Sequence, residues 1–161
     1  MEVIDGTNCA TITFECNGNL TCIPDTNLGF TTVVFPGWLT LTNHHGNFSN
    51  EPSPIAIAFW LEEKDFPDTS RNITFTNAVS SIELFYTSFV PISINAYDED
   101  NNLIKSVTGP ANSNDCFNTW DPLSVIASQN IIKRIKITGN ACETGIDNLT
   151  VCTTARGLVA E

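Results

Sequence analysis

Apolar residues along this chain recur at every second position far more often than at every third or fourth. In Ile131-Ile-Lys-Arg-Ile-Lys-Ile-Thr138, Ile135 and Ile137 share one face while Lys136 and Thr138 share the other. That is the period of a half-buried antiparallel strand. Further on, Ile55, Ile57 and Phe59 alternate with the small Ala56 and Ala58, the pattern of a strand covered on both faces. Similar runs predict strands at about 10–16, 30–35, 38–42, 55–61, 71–76, 81–88, 90–97, 102–108, 123–127, 131–138 and 145–153. Helical periodicity is almost absent, and the one helical turn expected lies near 118–123, entered by Asp121-Pro122. Breaker-rich stretches at 43–54 and 108–115 read as long loops inside one domain. The predicted fold is therefore all-β: an antiparallel two-sheet sandwich of jelly-roll type with about 9–11 strands. It fills 1–161 as a single domain with terminal extensions at about 1–9 and 154–161.

Composition narrows the function more than the fold. The chain has 161 residues, 7 Lys and Arg against 18 Asp and Glu, and a net charge of −11. Only 16 % of residues are charged, below the usual figure of about 25 %, so Asn, Thr and Ser must build much of the surface. Seven scattered cations assemble no basic patch, which argues against nucleic acid and anionic membranes as partners. No apolar run approaches the ~20 residues of a membrane span.

Six cysteines, Cys9, Cys16, Cys22, Cys116, Cys142 and Cys152, suit a framework of three disulfides, whose pairing the spacing leaves open. Tight Cys-x-x-Cys pairs of a zinc site are missing. Four glycosylation sequons, at Asn19, Asn47, Asn72 and Asn148, point with the cysteines to a secreted protein. Met1, the only methionine, starts no signal-like segment, so a mature fragment is expected.

Four runs carry a resemblance: Phe75-Thr-Asn-Ala-Val-Ser-Ser-Ile-Glu-Leu-Phe-Tyr-Thr-Ser88, Ile94-Asn-Ala-Tyr-Asp-Glu-Asp-Asn-Asn-Leu-Ile-Lys-Ser106, Ile131 to Gly139, and Gly145-Ile-Asp-Asn-Leu-Thr-Val151. They resemble the jelly-roll domains of secreted bacterial surface proteins, including those with PEP-CTERM sorting tails, and carbohydrate-binding-module sandwiches. The resemblance covers about 10–153, and the six cysteines and lack of a sorting tail depart from it. It implies that Phe14-Glu15 on the first strand pairs with Ile146-Asp147-Asn148-Leu149 on the last. It also implies that Glu15 and Asp147 share a calcium ion with backbone carbonyls. The competing reading has Asp147 capping a turn and Glu15 solvated.

Other candidates are weighed against plainer roles. Asp98-Glu-Asp-Asn-Asn102 lacks the glycine and distal glutamate of a calcium loop and reads as an acidic hairpin tip, with Asn101-Asn102 suited to positive φ. His44 and His45 read as a loop pair, since neighbours in an extended segment point opposite ways. Glu63 and Asp65 alternate like a glycosidase pair, but a third acid is missing. Trp60 sits in a core-like run. Trp38, after Phe35-Pro-Gly, and Trp120, before Asp121-Pro122, are expected near loops as glycan-stacking residues.

Open sandwich edges accept strands from other chains, and head-to-tail contacts of that kind build filaments. The first expectation is thus a non-catalytic structural subunit of an extracellular filament or surface layer. Its partners would be copies of itself, joined through terminal strands. The alternative is a secreted calcium-dependent carbohydrate-binding module. No enzyme is expected.

Overall fold

The computed structural model describes residues 5–15, 18–42, 52, 56–114 and 116–156, with the backbone alone for Asp5, Gly6, Ala155 and Arg156. Among them are twelve strands: β1 (Asp5–Ile12), β2 (Thr26–Asn27), β3 (Thr32–Val34), β4 (Leu39–Thr42), β5 (Ala56–Phe59), β6 (Ser70–Val79), β7 (Ser81–Ser88), β8 (Ile92–Tyr97), β9 (Leu103–Gly109), β10 (Asp121–Ile126), β11 (Ile132–Thr138) and β12 (Thr144–Arg156). They form two six-stranded sheets. The first runs β10-β7-β12-β5-β4, with β1 also beside β12; the second runs β2-β3-β6-β11-β8-β9. All pairings are antiparallel.

The alternation read from the sequence explains the second sheet. Ile135 lies between Ile73 and Ala96, and Ile137 between Arg71 and Ile94, all facing inward and buried. From the first sheet Ile82, Leu84, Tyr86, Ile146, Leu149 and Val151 close the same core. Trp38 and Trp60 meet edge to face at 5.0 Å in its interior. Their indole N–H groups donate to the carbonyls of Asn72 (3.0 Å) and Asp68 (2.8 Å), which lets two polar atoms be buried without penalty.

Three expectations change. The expected strand at 123–127 starts earlier, at Asp121, within the stretch expected as a helical turn; β10 is an edge strand, where a proline such as Pro122 is tolerated. The first strand begins earlier, at Asp5, because it pairs in register with the far half of β12, from Asp5 opposite Arg156 to Ile12 opposite Leu149. Cys9 and Cys152 face each other in that ladder and form a disulfide. Of the three expected bridges, this is the one found among the described residues. Cys22, Cys116 and Cys142 are exposed thiols on three separate segments, and Cys16 lies outside the described residues.

Candidate functional site

The two sheets differ in what covers their outer faces. Over the first sheet lies the β9–β10 connection. The Asn112 side chain accepts from the Ser88 amide (2.8 Å) and donates to the Tyr86 carbonyl and to Asp121 Oδ2 (both 2.9 Å). The Ser113 and Thr87 hydroxyls meet at 2.8 Å. Phe117 stacks on Phe89 at 3.9 Å and, with Trp120 and Leu41, buries Ile57 in a small second cluster. That outer cluster is why β5 is buried on both faces.

On the outer face of the second sheet the described residues are half buried or exposed. Antiparallel partners share a face, so the register defines its rows. One row runs Val34, Thr74, Arg134, Tyr97, Leu103; the next runs Asn72, Lys136, Asn95, Ser106. The Arg134 guanidinium lies 4.1 Å over the Tyr97 ring and donates to Asn72 Oδ1 at 2.7 Å. Ser106 Oγ meets Asn95 Oδ1 at 2.6 Å. Lys136 stands half exposed between Asn72 and Asn95. At one end this face drops into a groove of about 270 Å³ lined by Thr74, Thr76, Asp98, Glu99, Lys133 and Arg134.

The groove wall is the β8–β9 turn, the acidic hairpin tip expected from the sequence. Asn101 takes φ 65°. Asp98 Oδ1 accepts the amides of Asp100 and Asn102, each at 2.9 Å. The Asn102 amide, more than any other group, holds the Asp98 carboxyl below the usual carboxylate range.

The sequence candidates scatter. Trp38 is fully buried, so it offers no ring face to a sugar; the Pro-Gly before it turns the chain inward onto Trp60, not out to solvent. Trp120 is half buried in the second cluster. Glu62, Glu63, Lys64 and Asp65 are all exposed in the β5–β6 loop. His44, His45 and the sequon at Asn47 lie outside the described residues. Asn19 is exposed, with its Oδ1 accepting the Thr42 amide at 3.0 Å. Asn72 is on the outer face of the second sheet, and Asn148 takes φ 48° in β12.

Asp147 is buried, and Glu15 half buried. Asp147 Oδ1 accepts the Asn148 amide at 2.8 Å. On one side β12 is paired by β5 up to Ile146 and by β1 from Leu149, so Asp147 and Asn148 occupy the gap between them. Glu15 follows Ile12, the last residue of β1, by three positions. Among the described residues no three His, Cys, Asp or Glu side chains gather in a way that would hold a metal ion.

Sequence reasoning missed Arg134 and Lys136 as site residues. Their alternation between Ile132, Ile135 and Ile137 was the available signal. Scattered in sequence, the cations are not scattered in space. Five of the seven lie on strands of the second sheet: Arg71 on β6, Lys105 on β9, and Lys133, Arg134 and Lys136 on β11. None of its six strands contains an Asp or Glu. On the outer face itself stand Arg134 and Lys136; Arg71 is buried inside the fold, and Lys105 pairs with the inward-facing Ala96.

Fold and outer faces together define a β-sandwich whose first sheet is covered by its own chain. Solved structures share this fold. A cleaved adhesin domain of Lys-gingipain matches with a TM-score of 0.56 at 9 % identity over 89 % of this chain and 99 % of that one. A variant of a family 29 carbohydrate-binding module matches at 0.56 and 12 % identity, over 92 % and 93 %. Another variant of that module, complexed with mannohexaose, matches at 0.54 and 11 %, over 92 % and 93 %. No family profile matches the sequence, and no curated protein matches it.

Proposed function

We propose that this protein is a secreted, non-catalytic carbohydrate-binding domain that lays an extended glycan across the outer face of its second sheet. The observation that carries this reading is the contrast between the two outer faces. One is occupied by the chain's own β9–β10 connection. The other presents Tyr97, Asn72, Asn95, Arg134 and Lys136 on a rigid strand lattice. Polar groups fixed on strands around an aromatic ring suit sugar recognition, which needs hydrogen bonds to hydroxyls and an apolar surface for ring C–H groups. The likeness to carbohydrate-binding and adhesin domains supports the same reading, and the disulfide suits an oxidising compartment.

Affinity electrophoresis against a panel of soluble polysaccharides tests it. At least one polysaccharide should retard the protein, and Tyr97→Ala should weaken that binding at least about fivefold. Trp38→Phe should leave binding unchanged, because Trp38 is interior. Equal mobility of both the native protein and Tyr97→Ala in every gel overturns the reading.

The filament reading ranks below this one. It rested on terminal strands given to neighbouring copies, whereas β1 is paired within the chain along its whole length and bridged to β12. Calcium held by Glu15 and Asp147 remains a proposal of ours. It is supported by a buried carboxylate in the gap where β1 and β5 part from β12. Added calcium should raise the melting temperature of the native protein and not that of Asp147→Asn; equal melting curves with and without calcium dispose of the site.

A further inference from the structure

We infer that the glycan bound by the second sheet is anionic, a polysaccharide carrying carboxylate or sulfate groups, read by Arg134 and Lys136. This rests on the carbohydrate-binding reading above and adds the charge of the ligand. The first observation is the segregation of charge. In a chain of net charge −11, the two central rows of the outer face hold Arg134 and Lys136 and no acid; Asp98 and Glu99 stand only at the groove at its end.

The second observation is how the cations on the strands of this sheet are used. Arg71 is buried and bonds to carbonyls inside the fold. Lys105 and Lys133 donate to the carbonyls of Ile126 and Thr76. Lys136 meets no hydrogen-bond or ion-pair partner among the described residues. Arg134 gives one of its five N–H donors to Asn72 and leaves the rest unused there. The two stand two residues apart on β11, about 7 Å along the strand, on the same outer face.

The third observation fixes polarity. A guanidinium can only donate, so Asn72 must turn its oxygen toward Arg134, and its NH₂ group points elsewhere. The centre of the face is thereby rich in donors: guanidinium, ammonium and amide N–H. Neutral sugars ask for donors and acceptors alike. A surface that offers mainly donors, two of them charged, complements carboxylate or sulfate oxygens, and the Arg fork matches both geometries. Arg134 is also held by Tyr97 and Asn72 before any ligand arrives, so little side-chain entropy is lost on binding.

Isothermal titration of the native protein against polygalacturonate, alginate and a sulfated galactan tests the inference, with neutral mannan and single-stranded DNA as controls. One acidic polysaccharide should bind more tightly than mannan and DNA, and more weakly as salt rises. The variants Arg134→Gln and Lys136→Gln should each lose about five- to tenfold in that affinity. Arg134→Lys, which keeps the charge but not the fork, should lose less than Arg134→Gln. Circular dichroism melts control for folding. Selectivity for carboxylated over sulfated chains, or the reverse, names the anionic group. Preferential binding to mannan, with both Gln variants unaffected, overturns the charge inference and leaves the carbohydrate reading standing. Failure of every polysaccharide overturns both. Equal binding of DNA shows attraction to charge alone and overturns the inference. So does a glycan found attached at Asn72 in the secreted protein, since it would cover this face.

Discussion

The guanidinium of Arg71 is committed wholly to carbonyl oxygens. Its Nε donates to Gly37 O at 3.1 Å, Nη1 to Pro67 O and Ser70 O, and Nη2 to Leu61 O at 2.9 Å. Phe66 flanks it at 4.8 Å. Burial pulls its pKa down and Glu63 and Asp68 push it back up, yet an arginine stays protonated across the physiological range. Arg71→Leu should therefore cost about 3–5 kcal/mol, because several buried acceptors lose their donor together; urea unfolding measures it. Gly37 matters for the same contact. It has φ 80°, and a Cβ there would stand 2.7 Å from Arg71 Nε. Gly37→Ala should cost about 1–3 kcal/mol. Neither residue was legible as important in the sequence, since an arginine on a predicted strand reads as a surface residue. Trp38 was misjudged for a related reason. Its local neighbours, Pro36 and Gly37, mark a turn, but the partner that decides its place, Trp60, is 22 residues away.

Elements were read better than residues where the pattern is local. The Ile alternation of β11 and the positive φ of Asn101 were both visible. What was hidden depends on neighbours in space: that β10 is an edge, that β1 slides along β12, that the β9–β10 connection lies over the first sheet. The β8–β9 turn yields a pH prediction. Because the folded Asp98 pKa is lowered, its contribution is complete above the ordinary carboxylate pKa of about 4 and disappears as pH falls through the lower folded value. The protection of the Asn102 amide relative to its intrinsic exchange rate should be constant above about pH 4, then fall at lower pH; Asp98→Ala should show weak protection throughout. An Asn102 amide with no such acid dependence contradicts the cap.

For the whole molecule, the split of charge between sheets is the property that sequence order conceals. Arg71, Lys105 and Arg134 look dispersed along the chain, yet β6, β11, β8 and β9 are consecutive neighbours. Parity of cysteines misled in the opposite direction, because it counts residues without asking which can meet. One bridge does form, and removing it with Cys9→Ser should destabilise the fold by up to about 5 kcal/mol, given the 143-residue separation of Cys9 and Cys152. For a protein of this size that lowers the melting temperature by roughly 2–4 °C per kcal/mol.

That bridge also sets how the domain bears tension. Cys9 and Cys152 sit near opposite ends of the chain on adjacent strands. A pull applied to Met1 and Glu161 runs along β1, crosses the sulfur–sulfur bond and leaves along β12, so the residues between the cysteines feel no load. A domain wired in this way holds its second sheet outside the line of force. In optical tweezers the oxidised protein should extend only by its short terminal segments. After reduction the same pull should release about 50 nm more chain.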